Sequence, residues 1–148
     1  MTAKILIPAV ITAIVLTACS KDKFTTKPQI TFKSVNGTEF SPGYLINFTF
    51  DATDKEGDIQ DSMFVLRSGS ACNELNGVTG FLMPLSTPKS DLKVEIDLTF
   101  IYKITNPPYI QLDGCTGKTD TTGFKFWIKD NAGNVSDTVQ APPIILLQ

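Results

Sequence analysis

Apolar and polar residues alternate along most of the chain after Pro28. A period of two is typical of β-strands that bury one face, and no stretch in this region keeps the 3.6-residue period of an amphipathic helix. Glycine, proline, asparagine and aspartate interrupt the alternation and mark turns. The pattern predicts seven strands, which we label A to G in chain order, at 29–35, 44–51, 62–67, 80–85, 92–100, 124–128 and 135–147.

The number and spacing of these strands predict the architecture. Seven short strands in about 120 residues are typical of an all-β, immunoglobulin-like antiparallel β-sandwich, and a small barrel is the alternative. The antibody pattern of Cys, Trp and Cys is absent, so only the architecture is expected to be shared. Strand C is apolar enough to be central, whereas Pro84 in strand D lacks a backbone donor and favours a sheet edge.

The beginning of the chain carries a targeting pattern. Lys4 precedes an uncharged run at residues 5–16, which is too short to span a membrane because a spanning helix needs about 20 residues. The run ends in LTAC, which resembles the lipobox of bacterial lipoproteins. This resemblance implies cleavage before Cys19 and a diacylglycerol on its thiol. An ordinary secreted protein and a retained membrane anchor are the alternatives.

The chain is therefore predicted to have three parts. They are a lipoprotein signal peptide at 1–18, a lipidated tether at 19–27 and the β-sandwich domain at 28–148. The tether is short, polar and rich in Thr and Lys. The domain has 9 basic and 14 acidic residues, a net charge of −5, so we do not expect it to adhere to an anionic membrane surface.

Two cysteines are left once Cys19 is assigned to the lipid. Cys72 follows strand C and Cys115 precedes strand F. An even number of cysteines outside the cytosol indicates a disulfide, and a single pairing is available. In an immunoglobulin-like sandwich the C–D and E–F connections share one end, so the two cysteines are predicted to meet there. Two free thiols are the alternative.

Composition excludes several classes of function. The chain has no His, which rules out a Ser-His-Asp triad, a Cys-His pair and a His-ligated zinc or haem. A net charge of −2 provides no electrostatic footprint for nucleic acid. No Gly-rich phosphate loop stands out, and no carboxylate lies in an obviously apolar setting. We therefore expect no catalytic residues and no enzyme activity.

Carboxylates are crowded in the connection between strands B and C. Five of the eleven residues at 51–61 are Asp or Glu. The F–G connection lies at the same end of the predicted sandwich, opposite the disulfide, and adds one more. Calcium takes about six to eight oxygen ligands and would relieve the repulsion, so we predict calcium ligands at Asp54, Glu56, Asp58 and Asp130. The alternative is ordinary turn chemistry, since Asp, Asn and Gly also suit Asx-turns and positive φ.

Two segments carry a resemblance to a known family. FTFDATDKEGDIQDS and FKFWIKDNAGNVSDTV together resemble bacterial Ig-like and cadherin-like extracellular domains. Those domains often have an acidic, Gly-containing loop after an early strand and a D-x-AGN-x-S turn before the last. The resemblance implies the sandwich fold, and some relatives bind calcium through such loops. The linker-end acidic motif of tandem cadherins is absent, so an ion-rigidified array is not implied.

An aromatic side chain is predicted on the outer surface of strand F. Trp127 alternates out of phase with the inward-facing Phe126 and Ile128. An exposed Trp is suited to stacking on a sugar ring or anchoring a partner. Tyr109, in the long connection between strands E and F, is a second candidate for ligand binding. The alternative is that a loop or the stems of nearby lysines cover Trp127.

These predictions combine into one functional expectation. We expect a lipid-anchored, non-catalytic binding or structural module of a bacterial cell envelope, which requires no cofactor and functions with or without calcium at the B–C/F–G end. Its expected partners are the membrane, through the lipid on Cys19, and a protein or glycan. The alternative is a glycan-binding accessory lipoprotein of an outer-membrane uptake system, and a further option is a subunit that pairs a strand edge with a partner. The expected location is the outer membrane, at its periplasmic face or the cell surface.

Overall fold

The computed structural model describes residues 24–84 and 87–148. The predicted signal peptide, Cys19 and the first part of the tether lie outside these residues. The described chain forms ten β-strands and a short 3-10 turn at Asn73–Leu75. The strands are β1 (Gln29–Val35), β2 (Glu39–Phe40), β3 (Leu45–Asp54), β4 (Ser62–Ser68), β5 (Gly77–Leu82), β6 (Leu92–Tyr102), β7 (Ile110–Leu112), β8 (Asp120–Lys129), β9 (Val139–Gln140) and β10 (Ile144–Leu146). In the described ranges, no helix has the length and apolar character needed to cross a membrane.

Two sheets face each other and form a sandwich. The first has the order β1-β3-β6-β7, and the second has the order β2-β10-β8-β4-β5 with β9 paired to β8. Strands A, B and E therefore share one sheet, and strands C, F and G share the other, which is the immunoglobulin-like division. The prediction of an all-β, immunoglobulin-like sandwich is confirmed.

The predicted strands agree with the structure except at short or edge elements. Strand C (β4) is central, and strand D (β5) lies at a sheet edge, as predicted. Strand D begins earlier than expected, at Gly77, and it pairs with β4 rather than with strand E. The sequence did not predict β2 and β7, because two or three residues are too few to show alternation.

Aromatic rings fill the centre of the sandwich. Phe48 and Phe50 of β3 meet Phe126 of β8 with ring centroids 5.0 and 4.7 Å apart. All three side chains are fully buried, so the rings bridge the two sheets. The alternation of strand B also predicts that Tyr44 faces inward with Phe48 and Phe50. This prediction is wrong, because the side chain of Tyr44 is 65% exposed. The backbone turns just before β3, with a hydrogen bond from the Tyr44 N–H to the Ser41 carbonyl, and this turn directs the side chain outward.

The disulfide lies at one end of the sandwich. Cys72, in the β4–β5 loop, is bonded to Cys115, in the β7–β8 loop, with Cα atoms 5.8 Å apart. The bond joins a loop of the second sheet to the loop that leaves β7 in the first sheet. The predicted pairing is confirmed, and it leaves the loops that follow β3 and β8 at the opposite end.

Candidate metal centre

Three aspartates from three elements meet at the end opposite the disulfide. Asp54 is the last residue of β3, Asp58 lies in the loop that leads to β4, and Asp130 directly follows β8. The strands β3 and β8 belong to different sheets, so the sandwich itself brings their ends together. The Asn131 N–H donates to the Asp58 carbonyl over 2.9 Å and links the two loops. We call these three aspartates the acidic tip.

The carboxylates of the acidic tip are close together, and most of their surface is buried. Each offers an oxygen, and these oxygens lie within 4.8 Å of one another. Asp54 is 0% and Asp130 is 1% exposed, while Asp58 is half-buried. In the described part of the chain, no ion pair includes any of the three. Negative charge is therefore concentrated here without a compensating cation.

The hydrogen bonds of Asp54 leave one of its oxygens without a partner. Its Oδ2 accepts from the backbone N–H of Gly57 over 2.6 Å and of Asp58 over 3.2 Å. Its Oδ1 is buried and has no hydrogen-bond partner among the described residues. A buried acceptor without a partner is costly, so this oxygen is available to a cation or a proton.

The environment of Asp54 disfavours its charge. Burial is the largest influence and raises the pKa of Asp54 above its ordinary value. The two backbone hydrogen bonds lower the pKa, but they do not offset burial and the neighbouring Asp58 carboxyl, which raises it further. Protonated Asp54 therefore favours the folded state. Without a cation, its contribution to stability is complete at low pH and is lost as the pH rises through the folded pKa.

The hydrogen bonds of Asp130 hold its carboxylate in place. Asn134 donates to both oxygens, with its backbone N–H 2.7 Å from Oδ1 and its side-chain Nδ2 2.8 Å from Oδ2. The Gly133 N–H donates to the Asp130 carbonyl over 3.1 Å and closes the turn. The D-x-AGN motif thus forms a turn that also orients the Asp130 carboxylate.

Glu56, the fourth predicted calcium ligand, lies outside the acidic tip. Its side chain is exposed, and its Oε1 accepts a hydrogen bond from the Thr26 hydroxyl over 3.1 Å. Spacing by two residues places Asp54, Glu56 and Asp58 on one face only if the chain stays extended. The chain turns at Gly57, where φ is +73°, so Glu56 points away from its neighbours.

The end of the predicted tether contacts the loops of the acidic tip. The Thr25 carbonyl accepts from the Lys55 N–H over 3.2 Å, and the Thr26 carbonyl accepts from Asn134 Nδ2 over 3.4 Å. Lys27 forms an exposed ion pair with Asp137 at 2.6 Å. The sequence did not predict this contact, because the tether shows no alternation and its partners are distant in sequence.

The two predicted aromatic ligand-binding residues lie apart. Trp127 is half-buried on the outer face of β8, and its ring stacks on Phe64 of β4 with centroids 5.5 Å apart. The Phe64 ring also packs over Gly80 of β5. Tyr109 precedes β7, is 40% exposed, and lies beside a gap between the sheets. The structure therefore does not join Trp127 and Tyr109 into one surface.

Comparisons with known proteins give little beyond the fold. No protein-family model and no curated protein matches this chain. The chain is similar to the solved structure of Spo0M, a sporulation control protein from Bacillus subtilis, at 10% sequence identity with a TM-score of 0.43. The similar region covers 82% of this chain and 50% of that one, so this chain spans about half the length of Spo0M. We draw no functional argument from this likeness.

Proposed function

We propose that this protein is a lipid-anchored, non-catalytic binding or structural module of a bacterial cell envelope, and that it binds calcium at the acidic tip. The observation that carries the calcium proposal is the Asp54 Oδ1, which is buried without a hydrogen-bond partner beside two further carboxylates. Anchoring is proposed from the LTAC motif and Cys19. The Cys72–Cys115 disulfide supports an oxidising compartment.

The oxygen donors of the acidic tip favour calcium over other metal ions. Three carboxylates supply only oxygen, which hard cations prefer, and they offer three to six of the six to eight oxygens that calcium takes, on the order of half its shell. Magnesium demands a near-ideal octahedron and gives up its water reluctantly, which suits a partly buried, irregular cluster less well. A bound dication would replace the proton that burial favours on Asp54 and would neutralise the tip.

The contacts of the tether give calcium binding a structural consequence. Thr25 and Thr26 bond to residues of the same two loops that carry the acidic tip. A cation that orders these loops would also fix the direction in which the sandwich leaves its tether. We propose that calcium rigidifies the junction between anchor and domain.

Thermal unfolding of the full-length protein in detergent tests calcium binding. Calcium at one hundred times its Kd is expected to stabilise the fold by about 2.7 kcal/mol, a rise in Tm of roughly 10 °C for a domain of this size. Asp54→Asn is expected to have a higher Tm than wild type in chelator, because an amide donates to the adjacent carboxylates and carries no charge. The variant is expected to show no calcium response.

Glu56→Gln is the matched control, because it removes a carboxylate of the same loop that lies outside the acidic tip. It is expected to keep the full calcium response, and magnesium is expected to raise the wild-type Tm by less than calcium does. A wild-type Tm that is equal in calcium and chelator contradicts the proposal. So does a full calcium response in Asp54→Asn.

The alternative of a glycan-binding lipoprotein has weaker support. Sugar stacking needs an open aromatic face, and the Phe64 ring covers one side of Trp127. Tyr109 lies at a different part of the molecule and does not extend this surface. A single stacked pair more simply stabilises neighbouring strands, as cross-strand aromatic pairs do.

A further inference from the structure

One edge of the first sheet is open along most of its length. The strand β6 has eleven residues, but β7 pairs only with its last three, Phe100 to Tyr102. No other described strand lies on this side of β6, because strand D joined the opposite sheet. An immunoglobulin-like domain of the constant type has a strand in this place.

Within the described ranges, the outward-facing backbone groups of this open edge have no partner strand. The pairing of β6 with β3 is antiparallel, and the Tyr102 N–H donates to the Tyr44 carbonyl. Because bonding direction alternates along a strand, the even-numbered residues of β6 bond to β3. The backbone N–H and C=O groups of Lys93, Glu95 and Asp97 therefore point to the open side.

The core is incompletely covered beside this edge. The inward-facing Leu92, Val94 and Ile96 are only half-buried, whereas Leu98 and Phe100 further along the same face are buried. The difference arises because the second sheet does not close over the first half of β6.

Two adjoining cavities occupy this gap. One has a volume of about 230 Å³ and is lined by Val94 and Ile96 together with Ile59 and Met83 of the opposite layer. The next has a volume of about 260 Å³ and shares Met83 and Ile96 with the first. Together the cavities form an apolar groove that runs parallel to the open backbone edge.

We propose that this groove binds an extended segment of a partner protein, which adds to β6 as a further strand. Main-chain hydrogen bonds to Lys93, Glu95 and Asp97 would provide affinity. Alternate side chains of the added strand would enter the groove and the others would lie on the outer face. The groove is apolar, so the inward side chains of the partner are apolar.

The charges on the outer face of β6 indicate which residues of the partner segment would lie between its apolar ones. Glu95 already contacts Lys33. Asp97 accepts hydrogen bonds from Thr49 and Asn47, and in the described ranges no ion pair includes it. A Lys or Arg opposite Asp97 would supply the missing cation, since opposite charges on neighbouring strands attract. The partner segment is therefore about seven residues long, alternates apolar residues with polar ones, and carries a basic residue beside Asp97.

The edge of β5 is a less suitable site for strand addition. By the same alternation, Val78, Gly80 and Leu82 direct their backbone groups outward, but Pro84 follows and lacks an N–H. In addition, β5 carries no charged residue that could select a partner. Strand addition at β6 is thus the more specific hypothesis.

Selection from a random heptapeptide display library on the immobilised full-length protein tests the proposal. The enriched peptides are expected to alternate apolar and polar residues with one basic residue. A synthetic peptide of the enriched sequence is expected to slow amide hydrogen exchange at Lys93, Glu95 and Asp97 at least tenfold and to leave Val78 and Gly80 unchanged. This pattern is specific to strand addition at β6.

Charge reversal supplies the matched comparison. Asp97→Lys is expected to weaken peptide binding at least tenfold, whereas Glu74→Lys, an exposed acidic residue outside the groove, is expected to leave it unchanged. No enrichment, enriched peptides without alternation, or protection of the β5 edge instead would overturn the proposal. Protection of the same three amides without peptide, increasing with protein concentration, would show that a second copy of this chain adds to β6 instead of a partner protein. Repeating the selection in chelator separates this result from the calcium proposal.

Discussion

At the scale of single residues, Arg67 and Asp120 form a buried ion pair at the disulfide end of the sandwich. Their side chains are 8% and 1% exposed, with Nη2 3.3 Å from Oδ2. The guanidinium also donates to the Asp113 backbone carbonyl and the Thr122 hydroxyl. The carboxylate also accepts from the Ser70 hydroxyl and the Ala71 backbone N–H. The pair therefore holds the β4–β5 loop, which carries Cys72, against the start of β8.

The pKa values of this pair follow from burial and hydrogen bonding. Burial alone would raise the pKa of Asp120, but the hydrogen bonds from Ser70 and Ala71 and the charge of Arg67 hold it below its ordinary value. Burial lowers the pKa of Arg67, and Asp120 opposes this effect. The ionised carboxylate thus stabilises the folded state above the unfolded pKa of about 4, and this contribution is lost as the pH falls through the folded pKa.

Asp120→Asn is expected to lower the free energy of unfolding at pH 7 by about 3–5 kcal/mol, because it leaves the buried Arg67 without its counter-charge. The difference from wild type is expected to shrink as the pH falls below the unfolded pKa of about 4, and to be lost once the folded Asp120, whose pKa is lower, is also protonated. Urea unfolding measured from about pH 2 to about pH 7 follows both effects, because this range includes the protonated and the ionised forms of Asp120. Asp137→Asn, at an exposed ion pair, is expected to cost less than about 1 kcal/mol; an equal cost would contradict the role of burial.

At the scale of elements, the loop between β3 and β4 depends on Gly57. Its φ is +73°, and a Cβ at this position would lie 2.0 Å from the Lys89 carbonyl oxygen. Its N–H donates to Asp54 Oδ2. The glycine therefore serves two purposes: it allows the β5–β6 connection to pass close to the loop, and it places a donor on the acidic tip.

Gly57→Ala is expected to lower the Tm by roughly 10 °C, as a loss of about 2–3 kcal/mol implies, and to abolish the calcium response. Gly117→Ala is the matched control, since Gly117 has a similar φ of +70° but no atom within 4 Å of the added Cβ. It is expected to cost only the conformational penalty of about 1 kcal/mol and to keep the calcium response. Equal losses in both variants would assign the whole effect to φ and not to the contact with Lys89.

At the scale of the whole molecule, the position of the acidic tip matters for anchoring. Thr25 and Thr26 contact the loops of the tip, and Phe24 is the fifth residue after Cys19. A fully extended chain of that length reaches at most about 18 Å. In a protein lipidated at Cys19, the acidic tip is therefore the membrane-proximal end, and the disulfide lies at the distal end.

Cys19→Ser is expected to move the full-length protein from the membrane fraction to the soluble fraction of a bacterial host and to abolish labelling with radioactive palmitate. The physical reason is the loss of the acyl chains, which supply the binding energy for the bilayer. The double variant Cys72→Ser and Cys115→Ser is the control, because it removes both other thiols and is expected to stay labelled and membrane-bound. Retention of label in Cys19→Ser would contradict lipidation at this residue.

The longer strands, and the end of the sandwich at which their loops lie, could be predicted from the sequence alone. Side-chain alternation depends on burial of one face of each strand, so it is visible locally, as in β6 from Leu92 to Phe100. The loop positions of Cys72 and Cys115 follow from strand order, which is why the disulfide was predictable. The crowding of carboxylates after β3 was visible for the same reason.

Which of these groups meet depends on how the two sheets and their loops pack. The turn at Gly57 excludes Glu56 from the acidic tip, and the packing of β3 against β8 leaves Asp54 buried with an unpartnered oxygen. The pairing of β5 with β4 rather than β6 opens the groove beside Lys93, Glu95 and Asp97. These outcomes depend on contacts between residues far apart in sequence. Alternation shows which face of a strand is buried, but it does not show which strand lies beside it, because pairing with β4 or with β6 would bury the same face of β5.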